Sequence, residues 1–195
     1  MADFSTLPPN MRCRALVGYY LQAWALMEWR LNEFISGALR LVSLEATIVT
    51  KNIQFRDKIH IAKTLVDLRL HDEPKCEAYT TMLNSLAGLS PDRNMVAHDM
   101  FGPEGDGVRF YVSKAKGKLS FPNTVWTFDT FVQKTNELRD FNEELTRLLD
   151  EIPKISLAEQ LTKLGVTTQE RGSPKYLAAL LLRSQESPDS EAPHK

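Results

Sequence analysis

Apolar residues recur at alternating spacings of three and four near the start of the chain and form one continuous stripe. The stripe consists of Leu16, Tyr20, Trp24, Met27, Leu31, Phe34, Ala38 and Leu41. This period is that of an amphipathic α-helix. It predicts one long helix, or two collinear helices, from about Asn10 to Leu44, with Gly18 and Gly37 as interruptions. Residues 1–10 are expected to be an N-terminal arm.

The same period predicts further helices at about 54–70, 74–89 and 129–152. After the second of these, the sequence Ser90-Pro91 predicts the start of a separate short helix, because proline fits the first helical turn. Ser90 or Asp92 is the expected cap of this helix. Trp24 belongs to the apolar stripe and is therefore expected in the core.

The helical pattern stops at residues 101–103, which read Phe-Gly-Pro. Two β-prone runs follow, at 108–112 and 119–121, and a turn-like segment at 113–118 joins them. This arrangement predicts a β-hairpin. A further short strand is expected at 125–128.

The predicted elements divide the chain into a domain and appendages. Residues 11–152 are expected to form a mainly α-helical bundle with a small β-hairpin insertion at about 108–121. A capping box at 156–159 predicts accessory short helices over 153–184, a C-terminal helical appendage. The last segment, 185–195, is rich in Ser, Pro and Glu and is expected to be disordered.

Composition narrows the possible functions. The formal net charge of −1 and a pI near 6.4 argue against a broad basic surface that coats nucleic acid, but they allow a small site for one or two phosphates. Residues 1–14 lack an apolar signal core, and the run 177–182 is too short to cross a bilayer. We therefore expect a cytoplasmic protein with no membrane segment.

Sequence signatures of cofactor and metal sites are missing. The chain has no Walker lysine loop, no Rossmann glycine fingerprint and no Gly-x-Ser-x-Gly elbow. Cys13 and Cys76 have no partner spacing for a disulfide framework or a zinc site. His60 and His71 lack metal-ligand spacing and are expected to be structural or surface residues. No cofactor and no metal ion are expected.

Arg93, Asn94 and His98 carry the strongest chemical signal. An Arg-(four to six)-His spacing alone arises by chance about 0.7 times in such a chain, and an added asparagine lowers this to about 0.03. On a helix Asn94 and His98 share one face, whereas Arg93 lies roughly 140° away and its long side chain can wrap back. Arginine binds phosphate, and histidine changes protonation near neutral pH. The alternative is a helical turn with an incidental surface histidine.

Residues 93–98 read Arg-Asn-Met-Val-Ala-His, which resembles the Arg-polar-x-x-x-His motif of the HEPN superfamily, the higher eukaryote and prokaryote nucleotide-binding domains. The resemblance extends over residues 11–152 as an architecture and over these six positions as a motif. A glycine that often follows the histidine is replaced by Asp99, whose carboxylate would favour the charged form of His98.

The resemblance implies a homodimer in which a two-fold axis beside the motif helix brings two copies of Arg93 and His98 into one cleft. It also implies metal-independent cleavage of RNA, in which the 2′-hydroxyl attacks the adjacent phosphorus. His98 would then act as general base or acid, and Arg93 would stabilise the phosphate. Asn94 would orient His98 or the phosphate. The apolar stripe, with Trp24 and Trp29, is the expected dimer interface.

Asp99 and two further groups are candidates for substrate binding. Glu28 on the first helix could reach the motif cleft, although such a glutamate is more often solvated or paired with a nearby arginine. Lys114, Lys116 and Lys118 surround the expected hairpin tip and could contact phosphate. Alternatively, these lysines form a solvated turn that discourages edge pairing.

The function expected from these residues is that of a metal-independent endoribonuclease of HEPN type, and analogy with such domains suggests a toxin or phage-defence effector. One alternative is a non-catalytic HEPN-like domain that binds a nucleotide, RNA or a protein partner such as an antitoxin. A third is a purely structural interaction bundle, in which Arg93 pairs with carboxylates and His98 is incidental.

Overall fold

The computed structural model describes residues 4, 6–70, 74–116 and 118–152, except for the side chains of Ser43 and residues 114–119. The accessory helices expected over 153–184, the tail expected over 185–195 and His71 lie outside the described residues. None of the described helices is both long and apolar enough to cross a membrane.

The described residues are mainly helical, as predicted. They form α1 (Pro9–Leu39), α2 (Ser43–Lys51), α3 (Phe55–Leu70), α4 (Lys75–Gly88), α5 (Ser90–His98) and α6 (Phe128–Glu151). Three of the helices, α3, α4 and α6, begin and end within a few residues of the predicted bounds, and α5 begins at Ser90 as predicted. Periodicity located α3, α4 and α6 because each buries one apolar face.

The first helix is shorter than predicted at its C-terminal end. Arg40 adopts a left-handed conformation with φ 56°. Its N–H bonds the Gly37 carbonyl, and the N–H of Leu41 bonds the Ser36 carbonyl. This Schellman pattern satisfies the last carbonyl groups and ends the helix. The extension to Leu44 is therefore wrong, and the separate helix α2 was not predicted.

The apolar stripe of α1 is the centre of the core. All its members within α1 are buried, and only Leu41, beyond the end of the helix, is half-buried. α1 packs against α6 and α3, and α3 packs against α4. Because the stripe is buried within one chain, the expectation that it supplies a dimer interface is wrong. Trp24 is 3% exposed and lies in the core as predicted, whereas Trp29 is half exposed.

The strands pair differently from the predicted hairpin. β1 (Met100–Glu104), β2 (Gly107–Tyr111) and β5 (Asn123–Trp126) form one antiparallel sheet in the order β1-β2-β5. β3 (Lys114–Lys116) and β4 (Lys118–Ser120) form a separate two-stranded sheet. The predicted pairing of 108–112 with 119–121 is therefore wrong.

The Phe-Gly-Pro segment that was interpreted as a break belongs to the edge strand β1. Pro103 has no N–H to donate, which an edge position tolerates. Gly105, with φ +57°, makes the turn from β1 to β2, a conformation that favours glycine. A local turn thus gives β2 a partner before residues 119–121 are reached.

An aromatic cluster fixes the sheet against the helices. The Trp126 ring lies 5.4 Å from that of Tyr20, 5.6 Å from that of Phe110 and 5.1 Å from that of Phe131. Tyr20 belongs to α1 and Phe131 to α6, so the inner face of the sheet covers one side of the bundle. One residue separates the end of α5 from the first strand of the sheet, so the sheet lies beside the C-terminal end of that helix.

Candidate functional site

The short helix α5 positions the motif. Leu89 alone separates it from α4, and the N–H of Arg93 bonds the Leu89 carbonyl. The expected caps are therefore wrong: Leu89 holds the cap position, and Ser90 lies within the helix. The helix ends at His98 because Asp99 is extended.

Two contacts fix the orientation of α5 against the bundle. Val96 is 2% exposed and Met95 is half-buried, so both pack toward the core. Asp92 does not cap the helix; its carboxylate instead accepts a hydrogen bond from Lys134 Nζ of α6. Asn94 and His98, on the remaining face, are exposed.

The structure brings Arg93, Asn94 and His98 together, as the sequence predicted. Arg93 Nη1 donates to Asn94 Oδ1 at 3.2 Å and lies 3.4 Å from His98 Nε2. Arginine has donors and no acceptor, so in this contact His98 Nε2 is the acceptor. The contact therefore places a cation that can bind phosphate beside a side chain that can exchange a proton.

Two surface depressions meet at this motif. The first, here the His98 depression, has a volume of about 680 Å³ and is lined by residues that include Asp92, Asn94, His98, Asp99, Ser113 and Thr124. The second, the Arg93 depression, has a volume of about 490 Å³ and is lined by residues that include Glu28, Gln54, Phe55, Arg56, Arg93 and Asn94. Both volumes fall in the range of ligand sites, roughly 300–1,000 Å³. Asn94 lines both and marks the ridge between them.

Glu28 lies in the Arg93 depression, on the side of the motif that Arg93 faces. Its Oε1 accepts from Lys58 Nζ at 2.6 Å and its Oε2 accepts from Trp24 Nε1 at 3.3 Å. The expected approach of Glu28 to the motif thus brings it beside Arg93 and Asn94. Its ionic partner is a lysine of α3 and not a neighbouring arginine.

Asp99 and the lysine-rich hairpin lie on the other side of the motif. Asp99 lines the His98 depression together with His98. Ser113, which precedes β3, lines the same depression, so the hairpin begins at its rim. Lys114, Lys116 and Lys118 belong to β3 and β4, but their side chains lie outside the described residues.

Tyr20 of α1 is buried in the core, where the charges of Asp92 and Arg93 of α5 act on its hydroxyl. Burial raises the pKa of its hydroxyl well above the ordinary value, the nearby carboxylates of Asp92 and Glu137 raise it further, and Arg93 opposes them. Tyr20 therefore stays neutral and protonated at physiological pH.

Sequence reasoning missed Lys58 and Lys134, which hold the two carboxylates beside the motif. A signal for both exists, because each lysine falls on the apolar face of its helix. Lys134 is three residues after Phe131, and Lys58 is four before Ala62. A lysine on such a face requires an ionic partner.

The other histidine within the described residues, His60, is exposed on α3, as expected of a surface residue. In the part of the chain that the structure describes, no group of three or more His, Cys, Asp or Glu residues could hold a metal ion.

Comparison of this chain with models of protein families, with curated proteins and with solved structures found no match. Family membership is therefore not shown by similarity. The chemistry of Arg93, Asn94 and His98 and of the two depressions beside them is the basis for inferring a function.

Proposed function

We propose that this chain is a metal-independent endoribonuclease of HEPN type. The observation that supports the proposal is the contact of one guanidinium nitrogen, Arg93 Nη1, with both Asn94 Oδ1 and His98 Nε2 on an exposed helix face. This arrangement combines a permanent cation for phosphate with an imidazole for proton transfer.

The proposed reaction uses the 2′-hydroxyl of RNA as nucleophile. His98 Nε2 exchanges its contact with Arg93 for one with this hydroxyl and takes its proton, and the 2′-oxygen forms a bond to the adjacent phosphorus. The bond from phosphorus to the 5′-oxygen breaks, which leaves a 2′,3′-cyclic phosphate and a 5′-hydroxyl. Arg93 stabilises the charge that develops on the phosphoryl oxygens, and Asn94 orients Arg93 through their hydrogen bond.

A second copy of the chain would complete this site. Protonation of the departing 5′-oxygen needs an acid opposite the base, and a two-fold axis beside α5 would supply a second His98, which would donate this proton from its imidazolium form. Asp99 separates α5 from Met100, which is 78% exposed and lies opposite the half-exposed Tyr111 in the sheet. This exposed apolar pair, two residues beyond His98 in the sequence, is the surface where we propose that two copies meet. A monomer in sedimentation at micromolar concentration would contradict it.

A second candidate function is that of a non-catalytic HEPN-like domain that binds a nucleotide, RNA or a protein partner. The Arg93 depression favours it, because arginine, carboxylate and aromatic side chains meet there in a volume suited to one small ligand. The endoribonuclease of the first proposal would, by analogy, act in the cytoplasm as a toxin or in phage defence, and an antitoxin would be its protein partner.

The test is incubation of the purified protein with end-labelled RNA in excess EDTA. We expect cleavage that leaves 2′,3′-cyclic phosphate ends, and no cleavage where the nucleotide 5′ of the bond carries 2′-deoxyribose. A requirement for added magnesium, or equal cleavage of DNA, would overturn the mechanism. Nucleotide or RNA binding without cleavage would favour the second candidate.

A further inference from the structure

We infer that the Arg93 depression binds a guanine base, and that the Glu28 carboxylate recognises its Watson–Crick edge. The bound nucleotide would place its phosphate at Arg93, beside the scissile position. This inference rests on the proposed function for the polymer, RNA, whereas the binding of the nucleotide itself does not depend on cleavage.

Glu28 is held in one orientation while it keeps acceptor capacity. Each carboxylate oxygen receives one hydrogen bond, from Lys58 and from Trp24. A carboxylate has about four lone-pair sites, so about two remain for a ligand. The Glu28 side chain is 26% exposed, and it lines the depression.

Lys58 holds Glu28 by a hydrogen bond from the buried side of the carboxylate, where the lysine cannot itself bind a ligand. Its side chain is only 5% exposed, so a phosphate in the depression would not reach the ammonium group. The pair therefore presents the carboxylate to the depression and leaves the cation covered. A donor-rich ligand edge fits this surface better than an anion does.

Guanine is the base whose edge matches a carboxylate. Its N1–H and its 2-amino group are adjacent donors that can meet the two carboxylate oxygens together. Adenine and cytosine present an amino donor next to a ring-nitrogen acceptor, and uracil presents one N–H between two carbonyl groups. An ionised carboxylate accepts hydrogen bonds and cannot donate one. The edges of the other three bases would therefore place one of their own acceptors against a Glu28 carboxylate oxygen.

The other residues that line the Arg93 depression can contact a base and its phosphate. Phe55 is half-buried and packs on Trp24, with ring centroids 4.8 Å apart, which gives an apolar wall. Arg56, with a side chain 80% exposed, can cover a base as a flat cation. In the described residues, Arg93 hydrogen-bonds only Asn94 and His98 through Nη1, which leaves Nε and Nη2 for phosphate.

Glu28, Lys58 and Trp24 could instead be a purely structural tie between α1 and α3. That role predicts no preference among bases and no response of Trp24 to a nucleotide. The two explanations therefore differ in a measurable way in the unmodified protein.

The first measurement is a titration of ¹⁵N-labelled full-length protein with GMP, AMP, CMP and UMP, followed by NMR. We expect GMP to bind roughly 10- to 100-fold more tightly than the others, as for a bidentate contact to a base. We also expect GMP to shift the indole N–H resonance of Trp24, which bonds Glu28, and to leave Trp29 unchanged. Equal binding of the four nucleotides, or a Trp24 resonance that GMP does not move, would overturn the inference.

The second measurement uses variants. Glu28→Gln replaces one acceptor oxygen by an amide donor, so the preference for GMP should fall by 10-fold or more. Because this change leaves the buried Lys58 without a counter-charge, Glu28→Gln/Lys58→Met is the companion variant that removes both charges together. Glu33→Gln, on the same helix and paired with Arg30, is the control and should keep the preference. A full preference for GMP in the folded double variant would contradict the role of Glu28.

RNA cleavage separates this inference from the proposed function. Cleavage by the protein with no guanine preference in binding refutes the guanine site and leaves the nuclease standing. Selective binding of GMP with a shifted Trp24 resonance, but without RNA cleavage, supports the guanine site and refutes the nuclease. Absence of both refutes both.

Discussion

Arg93 Nη1 lies 3.4 Å from His98 Nε2, although the two residues are five positions apart on α5. On an ideal helix such residues are separated by roughly 140° around the axis, so the contact depends on the length and flexibility of the arginine side chain. A shorter cation could not make it. The shape of the arginine side chain, and not only its charge, is therefore needed to bring Asn94 and His98 together.

Arg93→Lys should lower the rate of RNA cleavage by roughly 10²- to 10³-fold, the effect of removing a donor that stabilises transition-state charge. Lysine keeps the charge but lacks the planar fork that contacts Asn94, His98 and phosphate together. Single-turnover kinetics measures the rate, and circular dichroism checks the fold. Arg147→Lys, which changes an exposed arginine of α6, is the matched control and should be fully active.

Glu28→Ala should lower the free energy of unfolding by about 2–3 kcal/mol, because it leaves the buried Lys58 without its carboxylate partner. The partial exposure of Glu28 places the effect below that of a fully buried pair. Lys58→Met should have a smaller effect, since it removes the buried charge itself. Urea unfolding of both variants measures this, and a larger loss for Lys58→Met would show that the pair is not the cause.

Gly18→Ala should raise the free energy of unfolding by up to about 1 kcal/mol, because alanine is the better helix former. Gly18 is exposed within α1, and a Cβ there meets nothing within 4 Å. Gly107→Ala is the opposite case, since its Cβ would lie 2.0 Å from the Trp126 carbonyl oxygen. Thermal unfolding should show a higher Tm for the first variant and a lower one for the second.

The free energy of unfolding at acidic pH should depend on the ionisation of Glu151. Hydrogen bonds from Lys75 and then Tyr79 lower the pKa of this carboxyl below its ordinary value of 4.5. A carboxyl whose pKa is lower in the folded state stabilises the fold above its unfolded pKa, and this contribution is lost as the pH falls through the folded pKa.

Glu151→Gln should therefore lose stability near neutral pH and show a flatter profile below pH 4.5 than the unmodified protein. Urea unfolding at a series of pH values measures both profiles. Glu143→Gln, on the same helix with an exposed side chain, is the control. Parallel profiles for Glu151→Gln and the unmodified protein would contradict the assignment.

The helices α1, α3, α4 and α6 could be predicted because each depends on its own sequence period, whereas α2 was missed. The α1 stripe and the bounds of α6 follow from apolar residues that recur within a few positions. The end of α1 could not be predicted in this way, because Arg40 adopts a left-handed conformation that glycine would normally mark. Nothing in the residue type at position 40 signals the end of the helix.

The sheet and the supports of the site depend on contacts between distant residues. β2 pairs with β1 through the turn at Gly105 and with β5 beyond a separate hairpin, and strand propensity alone does not choose between such partners. The grouping of Arg93, Asn94 and His98 was predictable because all three lie on one short helix. Their neighbours Glu28 and Lys58 come together only through the packing of α1 on α3.

The rate of RNA cleavage by His98→Ala in excess EDTA tests the central claim most directly. The proposed general base predicts a loss of roughly 10²- to 10⁴-fold, with the fold intact because the exposed His98 fills no core space. His60→Ala, which changes an exposed histidine of α3, should retain the full rate. Full activity of His98→Ala, or its unfolding, would contradict the account and show that the motif has a structural role.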